Sequence, residues 1–268
     1  GSSGGSSGSS SDESDTAVTS SISSTRYCFE KQYVARTLGS CQSGELAVID
    51  LDGISSSVIT AALNRGVEIY GYLNAGSLER QRSYFNTYKD LLIAEYDGWE
   101  GEYWVDVTDA AWKAHLIAEA RSMKAAGATG VYLDNADILY MVESGFEDDE
   151  TEMITAAPSA EAVYQALAET IKTIQNSVGL TVMPNGGDTF VRRFVRENPG
   201  FLKAVNQESV LFEDFRAQRS SDTRYLTNYL DWCKQQGIYI RGIEYVNTAA
   251  GVKTAEDYYT AHGWQELY

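Results

Sequence analysis

Apolar residues follow two alternating rhythms along most of this chain. In SSSVITAALNRG, the residues Val58, Ile59, Ala62 and Leu63 fall on one face at helical spacing, and Gly66 stands just past the end. The run that follows, VEIYGYLNAG, is short, continuously apolar and rich in β-branched and aromatic residues. The same pair of rhythms returns as DAAWKAHLIAEARSMKAAG before ATGVYLDNAD, where Trp112, Leu116, Ala120 and Met123 share a face. It returns again as SAEAVYQALAETIKTIQNSVG before LTVMPNGG, and as SDTRYLTNYLDWCKQQG before IYIRGIEYV. A spacing near 3.6 predicts amphipathic helices, and a glycine after each accepts the left-handed conformation that ends a helix. A strand apolar on both sides is covered on both faces, as in a parallel sheet.

This alternation predicts βαβ units, with eight strands around Tyr27–Phe29, Leu46–Leu51, Val67–Leu73, Gly130–Leu133, Leu180–Met183, Lys203–Asn206, Ile238–Ile243 and Gln265–Leu267. From Thr25 onward the chain has 244 residues, against about 250 for a typical (β/α)8 barrel. The fold class expected is therefore α/β, a single (β/α)8 TIM barrel over residues 25–268. A doubly wound sheet shares the same grammar, but the phosphate-binding patterns GxGxxG and GxxxxGK[ST] are both missing.

Residues 1–24 break the rhythm, with 12 Ser and 4 Gly and almost nothing apolar. Such a segment buries too little surface to offset its ordering entropy and reads as a disordered linker. It is of the kind that follows the cleavage site of an exported bacterial protein, and equally of the kind engineered as a spacer. No apolar run is long enough to span a bilayer, which leaves a lipid anchor ahead of this segment as the expected route to a membrane, and an extracellular or cell-surface location.

Charge narrows the chemistry. The 268 residues carry 38 Asp and Glu against 21 Lys and Arg, a formal net charge of -17, which argues against nucleic acid as a partner. With only His115 and His262, a multi-histidine metal site or a Ser-His-Asp mechanism has little to build on. Cys28, Cys41 and Cys233 form no CxxC and read as unpaired thiols, with a Cys28–Cys41 pairing left open. The acidic run EDDETE at Glu147–Glu152 lacks the spacing of a calcium loop. No metal and no organic cofactor is implied.

Carboxylates are plentiful and several close a strand: Asp50 and Asp52 in VIDLD, Asp134 and Asp137 in GVYLDNAD, Glu208 in AVNQES and Glu244 in RGIEY. A barrel brings the C-terminal ends of all its strands to one mouth. Two carboxyls meeting there suit glycoside hydrolysis, in which one protonates the leaving oxygen and the other attacks the sugar or activates water. Each acid also has a structural reading: Asp134 as a helix cap, Asn135 and Asp137 as turn residues, Glu208 in an ion pair with an arginine, and Glu244 paired with Arg241. Tyr72, Tyr84, Phe85, Trp99, Tyr103 and Trp104 cluster after the third strand, either to line a carbohydrate cleft or to pack an excursion onto the barrel.

The succession VIDLDG, GYLNAGSLERQRSYF, WVDVTDAAW, GATGVYLDNAD and NQESVLFE resembles the endo-α-1,4-polygalactosaminidase family of glycoside hydrolases, its bacterial branch above all, over roughly Tyr27 to Tyr268. YLNAGSLERQRSYF is similar to that family's Y-L-S-x-G-E-x-E-x-x-R-x-Y segment, and GATGVYLDNAD to its G-x-D-G-x-x-x-D-N-x-D signature. The resemblance implies a (β/α)8 enzyme that cuts α-1,4-linked galactosamine polymers internally, with an Asp ending the fourth strand and a Glu ending the sixth as its catalytic pair. Those positions are Asp134, as nucleophile or base, and Glu208, as general acid/base, the two roles being exchangeable at this stage. By the same matching Asp52, Tyr72, Glu79, Arg82, Asn135, Asn185 and Glu244 would line the cleft for a polysaccharide substrate. Ser77 stands where the family usually has an acid, Asn74 replaces its usual Ser, and Glu244 stands where an Asp is common. These departures leave the exact polysaccharide open, and with it two alternatives: a glycosidase of different linkage specificity, and an inactive carbohydrate-binding protein on the same barrel.

Overall fold

The computed structural model describes residues 20–146 and 152–268. Eight parallel strands form the ring: β1 (Thr25–Cys28), β2 (Leu46–Ile49), β3 (Glu68–Asn74), β4 (Gly130–Asp134), β5 (Thr181–Pro184), β6 (Ala204–Glu208), β7 (Tyr239–Ile243) and β8 (Glu266–Leu267). Strands β1 to β5 pair in sequence order, as do β6 to β8. A parallel bridge between Asn185 and Asn206 joins the two sheets. The remaining seam, β8 to β1, is closed by side chains: Glu266 accepts hydrogen bonds from Thr25 Oγ1 (2.8 Å) and the Ser24 N–H (3.1 Å) and pairs with Arg241 (2.9 Å).

Helices α1 (Lys31–Ser40), α2 (Ser56–Asn64), α3 (Ala110–Ala126), α4 (Ala160–Thr173), α5 (Asp188–Glu197), α6 (Ser220–Gln235) and α7 (Ala249–His262) cover the outside. Their starts are capped as the sequence invites: Ser55, Asp109 and Ser159 accept from the N–H groups of Ser57, Ala111 and Ala162. Gly127 closes α3 at φ 108°, a conformation that would strain any L residue.

The core lies in two layers. A large one, including Trp112, Leu116, Ala120 and Met123 of α3, fills the space between strands and helices. A smaller, tyrosine-rich one fills the barrel, with Tyr27, Val48, Tyr70, Tyr132 and Met183. The barrel is thus plugged below its mouth, where the C-terminal ends of the strands open.

Two features extend the plan read from the sequence. Between β3 and α3 an antiparallel sheet of Ser77–Glu79, Leu92–Glu95 and Glu102–Val105 stands over the barrel mouth. A small hairpin, Phe212–Glu213 with Arg216–Ala217, follows β6. The expected linker needs a correction where it can be seen. Ser24 helps seal the barrel seam, Ile22 packs on the core and the Ser21 N–H donates to Glu256, so residues 20–24 are docked. Residues 1–19 and the acidic run through residue 151 lie outside the described residues. All three cysteines are free. Among the described residues no helix is long and apolar enough to cross a membrane.

Candidate active site

A cleft of about 440 Å³ opens at the C-terminal ends of the strands. Asp134 ends β4 and Glu208 ends β6, with β5 between them, and Asn185 follows β5. The Asn185 side-chain amide donates to Asp134 Oδ1 (3.0 Å) and to Glu208 Oε2 (2.9 Å). The two N–H bonds of one planar amide diverge by about 120°, so acceptors served by both lie about 5 Å apart. One nitrogen thereby bridges the two acids.

Asn185 is itself held from below. Its Oδ1 accepts from Asn206 Nδ2 (2.8 Å), which also donates to Tyr132 Oη (3.2 Å), and Tyr27 Oη donates to Asn206 Oδ1 (2.8 Å). Both asparagines are buried, so this chain fixes which end of the Asn185 amide faces the carboxylates. The resemblance placed Asn185 in the cleft, but nothing in the local sequence of either asparagine announces a relay.

Asp134 also accepts from Tyr72 Oη (2.8 Å), and Glu208 from Tyr245 Oη. Among the described residues no basic side chain pairs with either acid. Burial, and next the Glu208 charge, push the Asp134 carboxyl up to about 6, against the opposing hydrogen bonds from Asn185 and Tyr72. Asp137 is pushed to about 7 by burial and then by Asp134. It accepts the Gly187 N–H (3.1 Å), lines the cleft and tethers the loop after β5, a larger part than the turn expected of it.

The excursion after β3 forms the other wall. Asn135 sits at φ 63°, a region Asn tolerates, and is buried. Its amide donates to Asn74 Oδ1 (3.0 Å) and Ser77 Oγ (3.2 Å) and accepts from Tyr96 Oη (2.9 Å), locking the excursion to the end of β4. Gly76 allows this approach, because a Cβ there would come within 2.0 Å of the Asn135 carbonyl. Ser77, standing where the resembled family usually has an acid, donates to Glu102, so a carboxylate from another strand lies against it. Glu79, Glu102, Tyr96 and Trp99 line the cleft. Tyr103 and Trp104 are core residues, and Tyr84 packs on His115.

Two expected cleft residues are placed elsewhere. Strand β2 ends at Ile49, and the turn through Gly53 carries Asp52 out of the cleft, its side chain 59% exposed, while Asp50 lines it. Arg82 binds Asp50 (2.8 Å) and Glu79 (3.2 Å) and reaches Asp52 only at 3.5 Å. Glu244 points away from the mouth and is 6% exposed. Its carboxylate accepts the N–H groups of Val210, Leu211 and Phe212 at 2.9–3.2 Å and Tyr259 Oη at 3.0 Å. Arg241 pairs with Glu266 instead. Among the described residues no group of three or more His, Cys, Asp or Glu side chains could hold a metal ion.

Known proteins share this architecture. The glycoside hydrolase domain of PelA from Pseudomonas aeruginosa superposes with a TM-score of 0.72 at 18% identity, covering 91% of this chain and 93% of that one. Ega3 of Aspergillus fumigatus, solved in complex with galactosamine, gives 0.64 at 17% identity over 95% and 93%. An uncharacterized Deinococcus radiodurans protein is 26% identical over 212 residues, 75% of this chain, and the chain spans 64% of that relative's length. The model of glycoside-hydrolase family GH114 matches residues 16–267. The match runs across the whole ring and both strand-end acids, and the chain belongs to glycoside-hydrolase family GH114.

Proposed function

We propose that the protein is a retaining endo-glycosidase that cuts within α-1,4-linked galactosamine polymers, with Asp134 as nucleophile and Glu208 as general acid/base. The observation that carries this reading is the shared Asn185 donor. Ideal amide geometry puts the two accepting oxygens about 5 Å apart, which agrees with the short carboxyl separation of retaining enzymes, whereas inverting ones need about 6.5–9.5 Å to admit a water. In the first step Glu208 gives its proton to the glycosidic oxygen as an Asp134 oxygen bonds to the anomeric carbon and the leaving chain departs. In the second, Glu208 takes a proton from water, whose oxygen displaces Asp134.

The cleft's charge supports the substrate class. Asp50, Glu79, Glu102, Asp134, Asp137 and Glu208 face it, with Arg82 the basic residue among its lining side chains. Such a cleft attracts a polymer bearing free ammonium groups over a neutral, acetylated one. The galactosamine seen in Ega3 agrees with that class. Internal cleavage is supported by the rims. Trp99, 66% exposed, stands on the β3 side and Tyr245, 41% exposed, follows β7 on the opposite side of the ring. The inactive-binder alternative would have the two acids in ion pairs or far apart, and their surroundings favour the catalytic reading.

Digestion of deacetylated and acetylated galactosamine and glucosamine polymers, followed by mass analysis, tests the proposal. Internal fragments from deacetylated galactosamine polymer are expected, and no cleavage of any polymer would refute it. Trp99→Ala is expected to raise KM for polymer about tenfold, the value of one aromatic platform, with kcat within about twofold. An equal fall in kcat would place Trp99 in the chemistry. Because Asp134 must be ionised to attack, kcat/KM is expected to fall as pH drops through about 6. A profile flat down to pH 4.5 would contradict that role.

A further inference from the structure

A second cavity, of about 330 Å³, lies beside the cleft and shares Asp50, Tyr72 and Arg82 with it. It is bounded by the turn after β2, the start of α2 and one face of α3. Nothing in the proposed hydrolysis uses it.

Its walls are short of hydrogen-bond partners. His115 is 9% exposed, with its ring among Tyr84 (4.3 Å), Tyr88 (4.8 Å) and Trp112 (5.0 Å). It lines the cavity, yet among the described residues neither ring nitrogen has a hydrogen-bond partner. Burial pushes its imidazole down to about 4, so at neutral pH it offers one N–H and one lone pair. Arg82 Nε is likewise buried without an acceptor. Glu119, one turn along α3 from His115, faces the same space and makes no hydrogen bond among the described residues. Burial, then the Asp52 charge, raise its carboxyl pKa. Arg82 Nε is thus an unpaired buried polar group, which is costly, and His115 adds open hydrogen-bonding capacity beside it, so this wall is built for a polar occupant.

Charge specifies that occupant. Asp50, Asp52 and Glu119 line the cavity against one guanidinium, which also serves Glu79 from the cleft side. Lys31 comes near Gly53 but is not among the lining side chains. The balance calls for a cation. The unpaired nitrogens of His115 and Arg82 call for hydroxyls, and Tyr84, Leu73 and Ile59 supply an apolar side suited to the C–H face of a sugar ring. The volume suits a single ring rather than a chain.

We propose that this cavity is an accessory site for one amino-sugar unit, its ammonium between Asp52 and Glu119 and its hydroxyls on His115 and Arg82. That the ligand is a cationic polyol follows from the cavity itself; that the unit is galactosamine rests on the substrate reading above.

Amide-resolved NMR of the full chain, titrated with galactosamine and separately with galactose, separates the two sites. Gly53 and Ser122 report on the cavity and Gly186 on the cleft. Galactosamine is expected to shift Gly53 and Ser122 saturably, with galactose at least fivefold weaker. Glu119→Gln, and independently Asp52→Asn on its exposed turn, are expected to weaken that response about tenfold and to leave the response at Gly186 in place. No shift at Gly53 and Ser122, equal responses to the two sugars, or unchanged responses in both variants would overturn the accessory site. A response at Gly53 and Ser122 with silence at Gly186 upholds it and counts against the cleft reading instead.

Discussion

Glu208→Gln and Asp134→Asn are each expected to cleave galactosamine polymer about 1000-fold more slowly than the parent protein at pH 7, or slower still. Both replacements keep the shape of the side chain and an oxygen for the Asn185 amide, so the loss reports on chemistry. A glutamine neither gives nor takes the proton, and an asparagine does not form the glycosyl ester. The Asp134 variant carries a second, opposite signature. The folded-state carboxyl is raised to about 6, above its ordinary value. Its ionised form therefore costs stability above that pH, and the cost disappears as pH falls and the folded protein takes up the proton first. Asp134→Asn is accordingly expected to raise the thermal midpoint at pH 7 by a few degrees, about 1–2 kcal/mol, with the gain shrinking as pH drops from 6 toward 4. Thermal denaturation at pH 7 and pH 4.5 checks this. An inactive variant that is also less stable at pH 7 would trace the lost activity to misfolding.

Removing the Glu244 carboxylate is expected to have the largest effect on stability. It holds the N–H groups of Val210, Leu211 and Phe212, the stretch that leaves the barrel two residues after Glu208, and it anchors to Tyr259. Glu244→Ala leaves those donors buried without an acceptor, at a cost of about 3–5 kcal/mol. Glu244→Gln turns an amide N–H₂ toward N–H donors and recovers only part of the loss. The thermal midpoint of the alanine variant is expected to fall by about 10 °C or more. The kcat should fall with it, because Glu208 then leads directly into a loosened loop. A substrate-contacting Glu244 would instead raise KM and leave the midpoint unchanged, so scanning calorimetry together with steady-state kinetics separates the two. A change below about 1 kcal/mol would contradict the structural role.

The ring was legible because its signals are local. Continuous apolar runs such as GVYLD, and helices closed by glycine such as Gly127, declare themselves within a window of a few residues, and all eight expected strands form. The two acids at the ends of β4 and β6 were legible for the same reason, since a barrel turns strand-end position into shared location. The sheet standing over the mouth was not, because its three short strands pair antiparallel across stretches without strong periodicity. Side chains beyond a strand's last pair also escaped the reading. Asp52 lies past the end of β2, where alternation no longer governs direction. Glu244 turns away from the mouth because the loop after β6 supplies three N–H groups that no local pattern announces. The Tyr27–Asn206–Asn185 relay joins residues from two strands and from the turn after a third, and exists only once the barrel has closed.

The most direct test of the carboxylate pair is the anomeric configuration of the first product. Deacetylated α-1,4-galactosamine polymer is mixed with the protein, and the newly formed reducing ends are followed by ¹H NMR before mutarotation. A pair about 5 Å apart, with Asp134 forming a covalent ester, is expected to release the α-anomer first. First release of the β-anomer would contradict the account, as would intact polymer.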